Sequence, residues 1–151
     1  MSYADYDFYK NEYYGSLISE ADFPRLINKA GDKLENITMD RIITVFDGDN
    51  ERLITKISKA VCNIADTMYD IEKAEQAYRD SIGYESTSDG SMKGRTISSI
   101  SAGAESISYT SESVQSSAVS SVVSDKHLQE KLYFDIARDY LSGTGLLYQG
   151  L

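Results

Sequence analysis

The stretch NERLITKISKAVCNIADTMYDIEKAEQAYRDSI, residues 50–82, decides the fold. Ile54, Ile57, Val61, Ile64, Met68, Ile71, Tyr78 and Ile82 follow one another at steps of three and four, broken only at Glu75, where the heptad would call for another apolar residue. That spacing predicts one long helix with a packing seam. No Gly or Pro interrupts it, and at the helical rise the stretch would span roughly 48 Å, more than a small domain needs. A rod of that length calls for partners along its side.

The elements around it read as a helical bundle. Tyr6, Tyr9 and Tyr13 share one face if residues 5–14 form a short helix, with Gly15 placed to end it in a left-handed cap. Tyr3, Phe8 and Tyr14 are then left for other surfaces, another subunit among them. A second helix is expected from Ser19 as its cap, with Pro24 in the first turn and Phe23, Leu26, Ile27, Ala30, Leu34 and Ile37 on its apolar face. Thr38 offers a new cap and a corner before a short element, Met39 to Phe46, carrying Ile42, Ile43 and Phe46. Gly48 reads as its stop, and Asp49 or Asn50 as the cap of the long helix. The final helix is expected from Ser124 or Asp125 to about Ser142, with Leu128, Leu132, Ile136 and Tyr140 in one row and Ala137 and Leu141 beside it.

Between the long helix and the last one the composition changes. Residues 86–124 hold 15 serines, with Gly90, Gly94 and Gly103. Within this insert, Arg95-Thr-Ile-Ser-Ser-Ile-Ser-Ala-Gly-Ala-Glu-Ser-Ile-Ser-Tyr109 places two β-leaning pieces around Ala102-Gly103-Ala104, the pattern of a hairpin with a glycine turn. An isolated hairpin is marginal in water, so Ile97, Ile100, Ile107 and Tyr109 are expected to meet a neighbour. The chain then ends in Gly143-Thr-Gly-Leu-Leu-Tyr-Gln-Gly-Leu151, an apolar tail expected to dock through Leu141, Leu146, Leu147, Tyr148 and Leu151. The expected class is thus mainly α: a small bundle around one long central helix in a single domain, 1–151. Its helical core is 5–82 and 125–142, with an insert at 83–124 and a docking tail at 143–151.

Composition bounds the function. The net charge is -9, the pI is near 4.5, and no quarter of the chain is basic, which argues against a general nucleic-acid binder. No apolar run reaches the roughly 20 residues of a membrane span, and the opening Met1-Ser2-Tyr3-Ala4-Asp5 does not read as a signal peptide, so a soluble, unexported protein is expected. The one cysteine, Cys62, fits a reducing compartment and reads as a small buried hydrophobe. Along the long helix, Arg52, Lys56 and Lys59 precede Asp66 and Asp70, a gradient able to orient neighbouring copies head to tail.

Chemistry leaves little trace. Asp47, Asp49 and Glu51 alternate like the start of a calcium loop, but its sixth and twelfth positions would be Arg52 and Ser58, so no metal site is expected. Gly143-Thr-Gly145 follows a helix, where phosphate loops follow a strand and open a helix. His127, the one histidine, completes no triad or zinc site with Cys62 that the sequence locates. No catalysis and no cofactor are expected; a small hydrolase using His127 and carboxylates is the weakest reading.

Tyr3-Ala-Asp-Tyr-x-Phe-Tyr9, Tyr14-Gly15, Ile18-Ser-Glu-x-x-Phe23, Ile37-Thr38, Ala60-Val-Cys62, the insert with Ser-Ile-Ser-Tyr109, and Tyr140-Leu-x-Gly-Thr-Gly-Leu-Leu-Tyr148, in that order, resemble the head-tail connector proteins of tailed bacteriophages, also called adaptor or head-completion proteins. The similarity runs over nearly the whole chain, though no single motif is diagnostic. It implies a helical, non-enzymatic virion protein that forms a dodecameric ring beneath the portal protein in the neck, assembled in the host cytoplasm. Such a ring extends the DNA channel, passes DNA without sequence-specific binding, and offers a platform to the next connector, stopper or tail protein. The competing expectation is a non-viral intracellular helical interaction module that dimerises along the seam of the long helix.

Overall fold

A computed structural model describes residues 2–86, 92–96, 99–102, 105–108 and 125–147, with side chains for 2–77 and 125–147. The protein is mainly helical around one long helix. Helices α1 (Tyr6–Asn11), α2 (Phe23–Thr38), α3 (Arg41–Phe46), α4 (Glu51–Ser81) and α5 (Lys126–Leu141) are joined by strands β1 (Ile82–Ser86), β2 (Met92–Thr96), β3 (Ser99–Ala102) and β4 (Glu105–Ser108), which lie between α4 and α5. Two compact units divide the chain: 1–70 with 125–151, and 71–124.

The first unit is built around the leading two thirds of α4. Asn50 caps it, its Oδ1 accepting the amide of Leu53 at 3.2 Å. The seam residues Ile57, Val61 and Ile64 are buried as their spacing predicts, and so are Ala60, Cys62 and Ala65 beside them. From Leu53 to Tyr69 no residue is exposed. The middle of the seam is thus covered within the chain, while Ile54 and Met68 toward its ends are half-buried.

Four local readings are corrected. First, α1 is shorter than 5–14, and the left-handed residue after it is Tyr14 (φ 61°) rather than Gly15. Gly15 is needed for a different reason: a Cβ there would fall inside the ring of Tyr9. Second, α2 begins at Phe23 behind a turn in which Ser19 Oγ accepts the Asp22 amide at 3.3 Å, so Ser19 organises the approach and does not cap the helix itself. Third, Thr38 closes α2 instead of opening α3: its buried hydroxyl donates to the Leu34 carbonyl at 2.8 Å, and Met39 (φ 52°) and Asp40 (φ 61°) make the corner in consecutive left-handed conformations. Fourth, the deepest line of α5 is Tyr133, Ala137 and Leu141, while the expected row Leu128, Leu132, Ile136 and Tyr140 is half-buried along its shoulder. A shift of one residue turns a helix by about 100°, and the larger apolar count of the expected row did not decide which line faces inward.

Helix α5 starts where expected, with Asp125 Oδ1 accepting the amide of His127 at 2.8 Å. Against α2 it is pinned by Lys33, whose Nζ reaches Glu130 Oε1 at 2.6 Å and stands 5.7 Å from the Tyr133 ring centre. That pair is solvent-exposed and adds orientation more than stability.

The second unit holds two antiparallel two-stranded sheets. Strands β3 and β4 pair Ile100 with Ile107 and Ala102 with Glu105, so Ala102, expected in the turn, belongs to the ladder. The turn residues Gly103 and Ala104 lie outside the described residues. A second pairing, β1 with β2, was not foreseen: Ile82 faces Thr96 and Ser86 faces Met92, so the chain turns into a strand at Ile82 where the sequence suggested the end of a helix.

Candidate functional site

The N-terminal segment, residues 2–22, forms a strap fastened by phenol–carboxylate bonds. Its first anchor is Tyr3, which is fully buried, contrary to its assignment to another surface. Its Oη donates to Glu35 Oε1 at 2.6 Å, its carbonyl accepts the buried Ser58 hydroxyl at 2.6 Å, and its ring meets Phe46 edge-on at 4.8 Å. Burial, then the bond to Glu35, pushes the Tyr3 phenol far above the usual tyrosine range.

Tyr9 is the hub. Its hydroxyl donates to Asp66 Oδ1 at 2.6 Å and accepts the amides of Leu17 and Ile18 at 3.2 and 3.1 Å. One proton and two lone pairs are all a phenol has, so its capacity is filled. The ring packs on Tyr6, Tyr13 and Phe23, which makes the sequence-read tyrosine stripe a real aromatic cluster. Burial, then the Asp66 bond, pushes Tyr9 up to about 12. Tyr13 also bonds Asp66 and is raised further, by burial and then by the Asp66 charge. Asp66 itself is raised because burial outweighs the two tyrosine bonds.

This arrangement revises the charge gradient. Arg52 and Asp70 are exposed, but Lys56, Lys59 and Asp66 are half-buried, and the Asp66 carboxylate is engaged by Tyr9 and Tyr13 inside its own chain. Nothing in the sequence pairs position 66 with position 9; the one signal was a carboxylate on a helix stretch that otherwise reads as core.

The tail is corrected as well. Leu141 is fully buried and Leu146 is 5% exposed, so both belong to the bundle and are not free docking anchors. Gly143 and Gly145, both at φ 77°, reverse the chain after α5, and Thr144 Oγ1 donates to the Leu141 carbonyl at 2.6 Å. The Gly-Thr-Gly sequence is therefore a helix-terminating turn that returns Leu146 to the core. Leu147 is half-exposed; Tyr148 and Leu151 lie outside the described residues. Among the hairpin residues, the Ile100–Ile107 pairing is observed, whereas Ile97 and Tyr109 lie outside the described residues.

Cys62 is fully buried, and burial followed by the charges of Asp66 and Asp5 pushes its thiol up to about 12. A thiol so held stays protonated and is a poor nucleophile. His127 is exposed on the first turn of α5. Among the described residues, no group of three or more His, Cys, Asp or Glu is placed to hold a metal ion, and no helix is long and apolar enough to cross a membrane. Comparison with family models, with curated proteins and with solved structures finds no match.

Proposed function

We propose that this chain is a head-tail connector subunit of a tailed bacteriophage: a virion protein that forms a ring under the portal protein in the neck and carries the DNA channel to the next connector or tail component. One observation carries the reading. Many of the residues of the resemblance hold the first unit together: Tyr3, Tyr9, Gly15, Ile18, Phe23, Thr38, Ala60, Val61, Cys62, Leu141 and Leu146 are buried, while Asp5, Tyr14, Ser19 and Glu20 of the same motifs are exposed. Residues shared for the sake of packing point to a shared fold, which is the level at which this similarity speaks.

The overall charge of -9 supports the same reading, because an acidic channel wall lets DNA slide where a basic one would hold it. The competing reading, a cellular module that dimerises along the α4 seam, is weakened by the cover over residues 53–69. The test is to mix the purified chain with its cognate portal ring and image the product end-on. Rings stacked coaxially on portals are expected; a chain that ignores the portal while forming a discrete dimer would replace this reading with the cellular one. Truncation after Leu147 is the appropriate probe of the tail, because it leaves Leu146 and the glycine turn in place. Loss of portal binding by a folded truncated chain is expected, and unchanged binding would remove the tail from the docking surface.

A further inference from the structure

Asp66 sits where the strap meets α4, and the groups that act on it are neutral or negative. On its own helix, Cys62 and Asp70 lie one turn away, the first fully buried and the second exposed, and half-buried Tyr69 follows three residues on. Between Lys59 and Lys73, about two helical turns off on either side, α4 carries no Lys or Arg. The strap contributes the phenols of Tyr9 and Tyr13, together with Asp5, whose charge reaches Cys62. Lys10, the strap's one cation, holds the Gly15 carbonyl at 3.2 Å. From α5 comes Tyr140, whose hydroxyl accepts Asn63 Nδ2 at 3.3 Å and whose charge would act on Tyr13. From α2 comes the uncharged ring of Phe23, packed on Tyr9.

The hydrogen bonds around Asp66 accommodate a proton. The Tyr9 hydroxyl takes the Leu17 and Ile18 amides on its lone pairs, so its one proton is committed to Asp66, which must offer a lone pair in return. A carboxylate offers one, and so does the carbonyl oxygen of a carboxylic acid. Tyr13, the second phenol on Asp66, can donate to the carboxylate or accept from the acid, since a hydroxyl does either. Both protonation states therefore keep both bonds. They differ in hydration: the strap brings two stacked rings, Tyr9 and Tyr13 at 5.7 Å, to the carboxyl group and displaces the water an anion would hold.

We propose that the strap is a proton-operated clasp, which seats on α4 most tightly when Asp66 carries a proton and loosens as Asp66 ionises. Closing takes one proton from water onto a carboxyl oxygen of Asp66, and ionisation returns it. Asp66 is raised in the folded chain, by burial first, because burial outweighs the bonds from Tyr9 and Tyr13. Its contribution is therefore fully present below the unfolded pKa and is lost as pH rises through the folded value. Tyr9 and Tyr13 are raised as well, so they stay protonated throughout this transition and ionise only at alkaline pH. The clasp belongs to the single chain and stands whatever the chain assembles with.

Amide exchange at Leu17 and Ile18, whose N–H groups reach the Tyr9 hydroxyl, reads the clasp, and the NMR shift of the Asp66 carboxyl carbon reads the proton. In the native full-length chain the Asp66 midpoint is expected above that of the urea-unfolded chain. Protection at both amides, corrected for the intrinsic pH dependence of exchange, is expected to fall by about threefold or more as pH rises through that midpoint. Asp66→Asn keeps an acceptor for Tyr9 and carries no charge, so it is expected to hold the high protection at neutral pH with no fall. Asp70→Asn, at an exposed position, should keep the fall. An Asp66 that served only as an ionised anchor for Tyr9 would show the reverse, with protection greatest above the midpoint and lower in Asp66→Asn. That result, a flat native profile, an Asp66 midpoint at or below the unfolded one, or a fall that disappears in Asp70→Asn overturns the proposal. Circular dichroism verifies that each variant is folded; if Asp66→Asn is not, the native midpoint and the native profile decide.

Discussion

Tyr9 and Gly15 are a matched pair, and the first predictions concern them. In Gly15→Ala the new methyl group would overlap the Tyr9 ring, and neither the buried ring nor the tied loop can give way cheaply. A loss of about 2–3 kcal/mol in urea unfolding is expected. Tyr9→Phe keeps the ring but strands two amides and a half-buried carboxylate, for an expected loss of about 1–3 kcal/mol by the same measurement. The buried tyrosines also predict an alkaline transition. Tyrosines in the unfolded chain ionise near about 10, whereas Tyr9 is raised to about 12 and Tyr3 and Tyr13 lie higher. Their contribution is therefore fully present below the unfolded pKa and is lost as pH rises through the folded values. Absorbance titration near 295 nm should show a late group of tyrosines ionising together with loss of helical circular dichroism. A single smooth titration with no late group would contradict the strap.

At the scale of elements, the end of α5 is the most informative. Gly143 and Gly145 have open space around them, so their requirement is conformational and not steric. Gly143→Ala should cost about 1 kcal/mol, and Gly143→Asn measurably less, because Asn tolerates the left-handed region better. Equal costs would show that something other than backbone conformation is being lost. The same element shows how one line of an apolar face comes to lie deepest, with Ala137 and Leu141, expected beside the row, at its centre. Leu128, Leu132, Ile136 and Tyr140 are the bulkier row, but α5 is set by its neighbour α2, which places Lys33 beside Glu130 and Tyr133 and so turns Tyr133, Ala137 and Leu141 inward. Helical periodicity identifies that a face exists; the orientation of an ambiguous face is chosen by the packing partner.

At the scale of the whole molecule, the division into two units predicts that the bundle does not need the Ser/Gly-rich insert. Replacing residues 83–124 by a flexible Gly/Ser linker should leave a cooperative thermal transition within about 4 °C of the full chain, since the buried residues from Tyr3 to Ala65 and from Tyr133 to Leu146 all belong to the first unit. A transition lowered by much more would show that the two units stabilise one another.

Helical spacing and caps by themselves determined the class of fold and the long α4, and narrowed the caps to Asp49 or Asn50 and to Ser124 or Asp125, because periodicity and capping chemistry are local and act wherever they occur in a chain. Tertiary structure alone decided that Tyr3 and Tyr9 reach Glu35 and Asp66, that Leu141 and Leu146 are core and not docking anchors, and that the middle of the α4 seam is covered within its own chain. Each of these joins residues distant in sequence or selects among several apolar surfaces. The residue types announce that a surface must be buried or a phenol satisfied, and only the assembled bundle supplies the particular partner. The long stretch at residues 50–82 thus asked for cover from its sequence, and over residues 57–65 the fold buries its seam within the same chain.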